Sequence, residues 1–155
     1  MNLRATNLRQ STPLKLALAR TRDLIKFFQK VQRSRIDLNQ TIRVEDTFSL
    51  VPLEKARGAV ACVAGHAALR YAPANLVLNT AEGQVMNSQS RCLYRTIILA
   101  NQLLASGEVF TAHLLSAANG SDRYQRHEAI SRLRRHERNL KQAIRAKARR
   151  RSRSA

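Results

Sequence analysis

The hydrophobic positions of this chain change their period along its length, and each change marks an element. Leu14, Leu18, Ile25 and Phe28, with Leu24 and Val31 beside them, recur at the three-to-four-residue spacing of one helix face. Ser11 or Thr12 suits the N-cap, and Pro13 falls in the first turn, where a missing N–H is harmless. The pattern predicts a first helix over 12–33. Projected at about 100° per residue, Lys15, Arg22, Lys26, Lys30 and Arg33 gather on its opposite face as a basic stripe.

Over residues 36–51 the period drops to two. Ile36, Leu38, Ile42, Val44, Phe48 and Leu50 all occupy even positions, which predicts a small β-hairpin near residues 40–51, turning at VEDTF. NLVLNT at 75–80 can add a third short strand. Between them, Pro52 and Glu54 open a second helix that runs to about Tyr71 and stops before Pro73. It is small and apolar on every side, so it belongs at the centre, with Gly58, Ala61 and Gly65 allowing close approach of neighbours.

A third helix is predicted over 88–106, with Leu93, Ile97, Ala100 and Leu104 on one face and Gly107 as its stop. A fourth spans 109–118 and ends at Asn119-Gly120. The fifth spans 122–147 and starts with Asp122 and Gln125 at capping-box spacing. Ile130, Leu133, Leu140 and Ile144 form a narrow seam, with Glu137 at the missing seam position. Arg134, Arg138, Lys141, Arg145 and Arg149 project together on one flank. RRRSRS (149–154) has no apolar anchor and reads as a tail that stays unstructured until bound. The expected fold is mainly α, a single-domain bundle of about five helices with a small β-hairpin. In it a basic first helix, a neutral core at 36–120 and a basic C-terminal helix fill residues 1–148, and 149–155 form the tail.

Composition changes this picture only through charge. A chain of 155 residues, 44% hydrophobic, can bury one sizeable core. Its 28 Lys and Arg face 10 Asp and Glu, a formal net charge of +18. The excess sits at the ends. Residues 1–35 carry nine basic groups against Asp23, and residues 121–155 carry thirteen against Asp122, Glu128 and Glu137. Residues 36–120 hold six of each sign, so two basic ends flank a neutral body. Such an excess calls for a polyanionic partner. Arg outnumbers Lys twenty-two to six, and the guanidinium fork suits bidentate phosphate contact.

Catalytic chemistry finds little support. Five glycines and no Walker-type loop leave a phosphate cradle for a nucleotide unexpected. HEAISRLRRHE spaces its histidines nine apart, off-face for a zinc helix. Cys62 and His66 form an i,i+4 pair that lacks a matching second pair, so a buried thiol and a hydrogen-bonded core histidine are expected, with no metal and no cofactor. Cys62 and Cys92 both sit in apolar stretches and read as buried free thiols. Tyr71 and Tyr94 are expected at helix contacts with their hydroxyls in water, while Tyr124 beside the basic helix can stack on an exposed base. LLASGEVFTAHLLSAA joins two helices through a glycine, but 109–118 lacks Lys and Arg and is rejected as a recognition helix.

The expectation is therefore a non-catalytic nucleic-acid-binding protein that grips the phosphate backbone. Its contact residues are Lys15, Arg22, Lys26, Lys30 and Arg33 on the first helix, then Arg123, Tyr124, Arg134, Arg135, Arg138, Lys141, Arg145 and Lys147 on the last. The tail adds Arg149, Arg150, Arg151 and Arg153. A DNA-associated accessory or regulatory protein of a bacterial mobile element fits best. An RNA-binding architectural subunit of a ribonucleoprotein and a helical protein–protein adaptor, self-associating through the C-terminal seam, are the rivals. No apolar run reaches bilayer length, and a cytoplasmic location is expected. The acid-free, Arg- and Ser-containing first 22 residues leave a mitochondrial leader as the lesser alternative.

Overall fold

The computed structural model describes residues 2–38, 40–106 and 122–154. Within them lie four helices and one four-stranded antiparallel sheet: α1 (Leu14–Lys30), β1 (Leu50–Pro52), α2 (Val63–Tyr71), β2 (Leu76–Asn79), β3 (Gln84–Asn87), β4 (Leu93–Tyr94), α3 (Thr96–Leu104) and α4 (Asp122–Arg153). The fold is therefore mixed α and β, which corrects the expected five-helix bundle. The predicted fourth helix, 109–118, and the Gly107 stop lie outside the described residues.

The sheet is a meander in the order β1-β2-β3-β4. Val51, Leu78, Val85 and Tyr94 pair across it in one row that faces the core, while Pro52, Val77, Met86 and Leu93 pair in the adjacent row. β2 confirms the strand expected from NLVLNT, but the hairpin at VEDTF does not form. Ile36, Leu38 and Ile42 are buried, whereas Val44, Phe48 and Leu50 are exposed. The backbone explains why. Ile36 and Ile42 each bridge Ala61, Arg43 N–H donates to Val60, and Glu45 N–H donates to Thr80, so these donors are used on distant segments.

The same bridges shorten the second helix. Ala61 is extended between two neighbours and cannot be helical, so α2 starts only at Val63, after a single 3₁₀ turn at Lys55–Gly58. A run of small apolar residues reads alike in either state, which is why the sequence misplaced the start. Gly65 is the close approach: a Cβ there would lie 1.7 Å from the Thr41 carbonyl oxygen. Gly58 has open space instead.

The third helix also starts late. Asn87 Oδ1 accepts the N–H groups of Gln89 and Ser90 at 2.9 and 3.1 Å, an Asx turn that folds β3 back onto β4. Leu93 is thus an exposed strand residue, and Cys92 is exposed as well, contrary to the buried thiol expected of it. α3 ends with Ala105 in the left-handed region at φ 48°, not with a glycine.

α1 packs chiefly on α4, and α2 on α3. α4 does not stop near residue 147. It continues through Arg153, so the expected tail is the last turn of a 32-residue helix. Its inner side is Ala129, Leu133, His136 and Leu140, all buried. His136, not Glu137, occupies the gap in the seam; Leu133 and Leu140 are buried, and Ile130 and Ile144 are half-buried.

Three helices meet at the end of α3. The Nη1 of Arg20, from α1, donates to the Leu103 carbonyl at 2.8 Å, and Nε2 of His136, from α4, lies 2.8 Å from the Leu104 carbonyl. Ser106 N–H returns to Asn101, and Ala105 N–H to Gln102. The last carbonyls of α3, orphaned by the end of the helix, are all satisfied. Arg20 is almost wholly buried, and a cation there also opposes the negative end of the helix dipole.

Candidate nucleic-acid interface

The basic residues predicted on α1 and α4 are positioned by the antiparallel packing of those helices. Three contacts fix the alignment. Near the C-terminus of α1, Arg126 of α4 donates to the Val31 carbonyl. In the middle, Arg22 Nε reaches Glu137 Oε1 at 3.0 Å. At the other end, Pro13, Leu14 and Lys15 line one cleft with Ile144, Lys147, Ala148 and Arg151.

The stripe on α1 stands clear of the core: Lys15, Arg22, Lys26 and Lys30 are exposed. Arg33, also exposed, falls off the stripe, because α1 ends at Lys30 and not at 33, and Arg33 begins the separate 3₁₀ turn Arg33–Arg35. On α4, Arg134, Arg138, Arg145 and Arg149 are exposed, and Lys141 is half-exposed. Projection at about 100° per residue puts these five on the side of α4 next to Glu137, the side that faces Arg22. The two stripes therefore flank one seam. Glu137 is the only carboxylate between them among the described residues, and it accepts from both Arg22 and, at 2.8 Å, Lys141. Lys141 and Arg22 hold its carboxyl below the ordinary value, so it stays ionised.

Other predicted contacts fall elsewhere. Arg135 and Arg153 are exposed but lie about 100° round α4 from Arg134, and Arg150 lies further still. Lys147 and Arg151 rim the apolar cleft at the Leu14 end. The side chains of Arg123 and Tyr124 lie outside the described set. The side-chain carbonyl of Gln125, expected in a capping box, accepts the Leu38 N–H at 2.9 Å.

A second group of cations was missed by pattern reading because it is turned inward. Arg20 binds the carbonyls of Leu3 and Leu103, Arg4 the carbonyl of Ala72, and Arg70 the carboxylate of Asp23. A signal for Arg20 existed, since it stands three residues after Ala17 and four before Leu24, in the middle of the buried stripe.

The other candidate groups are structural in their contacts. His66 is buried against Phe27 and Phe28, with Nε2 3.0 Å from the Arg35 carbonyl, and burial pulls its pKa down to about 4. Burial pushes the Cys62 thiol up. Tyr71 corrects the expectation of a hydroxyl in water: it is buried and donates to Asp23 Oδ2 at 2.6 Å, and burial raises its pKa. The described residues contain no group of three His, Cys, Asp or Glu able to hold a metal, and no helix among them is long and apolar enough to cross a membrane. The chain matches no family model, and no curated protein or solved structure is significantly similar to it.

Proposed function

We propose that the protein binds nucleic acid without catalysis, DNA being the expected polymer, through the paired basic flanks of α1 and α4. The observation that carries this is the placement of both stripes on one side of one antiparallel helix pair, tied at Arg22, Glu137 and Lys141. Solvated helix faces usually alternate sign. Here nine cations meet one carboxylate, and that carboxylate is already shared by two of them. α4 spans about 48 Å at 1.5 Å per residue, enough to follow several phosphates. Contacts of this kind release condensed counterions, so affinity falls steeply with salt and carries little sequence preference.

Deleting α4 would not test this, because Ala129, Leu133 and Leu140 belong to the core. Arg134, Arg138, Arg145 and Arg149 are to be changed together to Gln in the full chain, and binding to duplex DNA, single-stranded DNA and RNA measured over a salt series. The slope of log affinity against log salt for duplex DNA should shrink by about 3–4, at about 0.9 per lost phosphate contact. Changing Arg43 and Arg91 to Gln, both exposed and outside α1 and α4, should leave it unaltered. Equal slopes for the quadruple variant and the parent would refute the reading.

A further inference from the structure

On the other side of α1 from α4, three guanidinium groups converge on one small cleft. Arg4 from the N-terminal segment, Arg57 from the 3₁₀ turn and Arg70 from α2 line it, with Asp23 and Tyr71 at its wall, around a cavity of about 250 Å³. The charges do not cancel. Asp23 Oδ2 accepts from Arg70 Nη2 at 2.8 Å and from Tyr71 at 2.6 Å. Burial alone would raise that carboxyl, but the bonds from Tyr71 and Arg70 outweigh it and hold it low, so it neutralises Arg70 and no more. Arg4 and Arg57 are left over.

Their surroundings leave donors free. Arg4 spends Nη1 on the Ala72 carbonyl, and its buried Nη2 has no acceptor among the described residues. An unsatisfied buried donor on a cation is costly, and a second guanidinium beside it adds repulsion. Burial and Arg57 both push the Arg4 pKa down, while Glu54, outside the cleft lining, pushes the other way. Arg57 is exposed, and its guanidinium has no carboxylate partner among the described residues.

We propose that this cleft binds a phosphomonoester, which in a nucleic acid is the terminal 5′-phosphate of a strand. Two cations with no carboxylate of their own in the cleft lining match its charge of about −1.5 to −2 at pH 7, and its three terminal oxygens suit several guanidinium donors. An internal phosphodiester or a carboxylate carries one charge and would leave one cation unmatched. The cavity is smaller than the pockets that enclose drug-sized ligands, so it admits a phosphate and a few attached atoms rather than a continuous strand. Lys26, of the exposed α1 stripe, is near enough to Asp23 to help lower its carboxyl, so the cleft adjoins the interface above. The strand-end form of the inference rests on that interface; the phosphomonoester site does not.

The test uses the full chain and its Arg57→Gln variant, since Arg57 is exposed and its side chain holds no element in place. Binding of single-stranded DNA of one sequence, with a 5′-phosphate or a 5′-hydroxyl, is compared by anisotropy. Thermal unfolding is followed with a nucleoside 5′-monophosphate against the plain nucleoside. The parent should favour the phosphorylated strand about tenfold and be stabilised by the monophosphate alone, and both effects should vanish in the variant. If neither strand binds but the monophosphate stabilises the parent and not the variant, the site stands and the nucleic-acid interface falls. If both strands bind equally and the monophosphate does no more than the nucleoside, the site is overturned and the interface remains. Preferences that persist in Arg57→Gln overturn the assignment to this cleft.

Discussion

Replacing Arg20 by Met removes the guanidinium and keeps most of the stem, so it isolates what the buried cation does. Nε donates to the Leu3 carbonyl at 2.7 Å and Nη1 to the Leu103 carbonyl at 2.8 Å, with a weaker 3.3 Å contact to Thr12 Oγ1. Hydrogen bonds to a charged group contribute about 1.5–3 kcal/mol each. The Leu3 carbonyl, on a half-buried segment, can recover water, but the Leu103 carbonyl sits in a buried contact and loses its only cap from α1. Against this loss stands the relief of no longer burying a guanidinium, whose pKa is lowered by that burial. The balance is a destabilisation of about 2–4 kcal/mol.

Urea unfolding followed by circular dichroism would measure it. Arg20→Lys should fall between the two, because one ammonium cannot reach both carbonyls as the planar fork does. Since Arg20 faces inward, nucleic-acid affinity measured where the variant is folded should not change. A midpoint for Arg20→Met within about 0.5 kcal/mol of the parent would show that the α3 terminus needs no cap from α1 and would refute the reasoning.

Three further outcomes follow from the same structure. Gly65→Ala would set a methyl 1.7 Å from the Thr41 carbonyl oxygen and 2.7 Å from the Ala61 Cβ, so urea unfolding should show a loss of about 3 kcal/mol or more; a neutral result would mean that the Thr41 backbone does not press on α2. His66 is held neutral by burial, with a folded pKa of about 4 against 6.5 unfolded, so the unfolded chain binds more protons between those values. Its contribution is complete above about pH 6.5 and is lost as pH falls towards 4, about 2 kcal/mol of it by pH 5; His66→Gln should flatten that slope, leaving the smaller same-direction share of His136. Mild alkylation of the native chain should modify Cys92 and spare Cys62 until urea is added, as intact-mass measurement would read; equal modification of both would contradict the burial of Cys62.

The helices with a one-sided pattern were legible. Leu24, Ile25 and Phe28 on α1 and Leu133 and Leu140 on α4 announce buried stripes by spacing alone, and the exposed cations opposite them follow. What failed were segments where spacing is silent. GAVACVAGHAAL is apolar at every period, and only the bridges from Ile36 and Ile42 decide that its first half is extended. Asn87-Ser88-Gln89-Ser90 carries turn chemistry that outweighs the helical spacing of Leu93 and Ile97. The exposed side of the interface was readable because charge on a helix face needs no partner to be seen. The cleft of Arg4, Arg57 and Arg70 was not, since its three residues come from the N-terminal segment, the 3₁₀ turn and α2, which only the fold brings together.

The surplus of arginine thus divides into two populations with separable effects. Arg4, Arg20, Arg35 and Arg126 donate to backbone carbonyls of Ala72, Leu103, Arg57 and Val31, and Arg20 reaches the Leu3 carbonyl as well, which needs a fork of fixed geometry. Arg134, Arg138, Arg145 and Arg149 are exposed with no such partner among the described residues, and act as charge at a surface. Lysine can serve the second purpose and fails at the first. Exchanging the four surface arginines for lysine should keep the salt slope of binding and the stability close to the parent's. The same exchange at Arg20 and Arg126 should lower stability while leaving the slope intact, so the two populations can be told apart by charge-conserving substitutions alone.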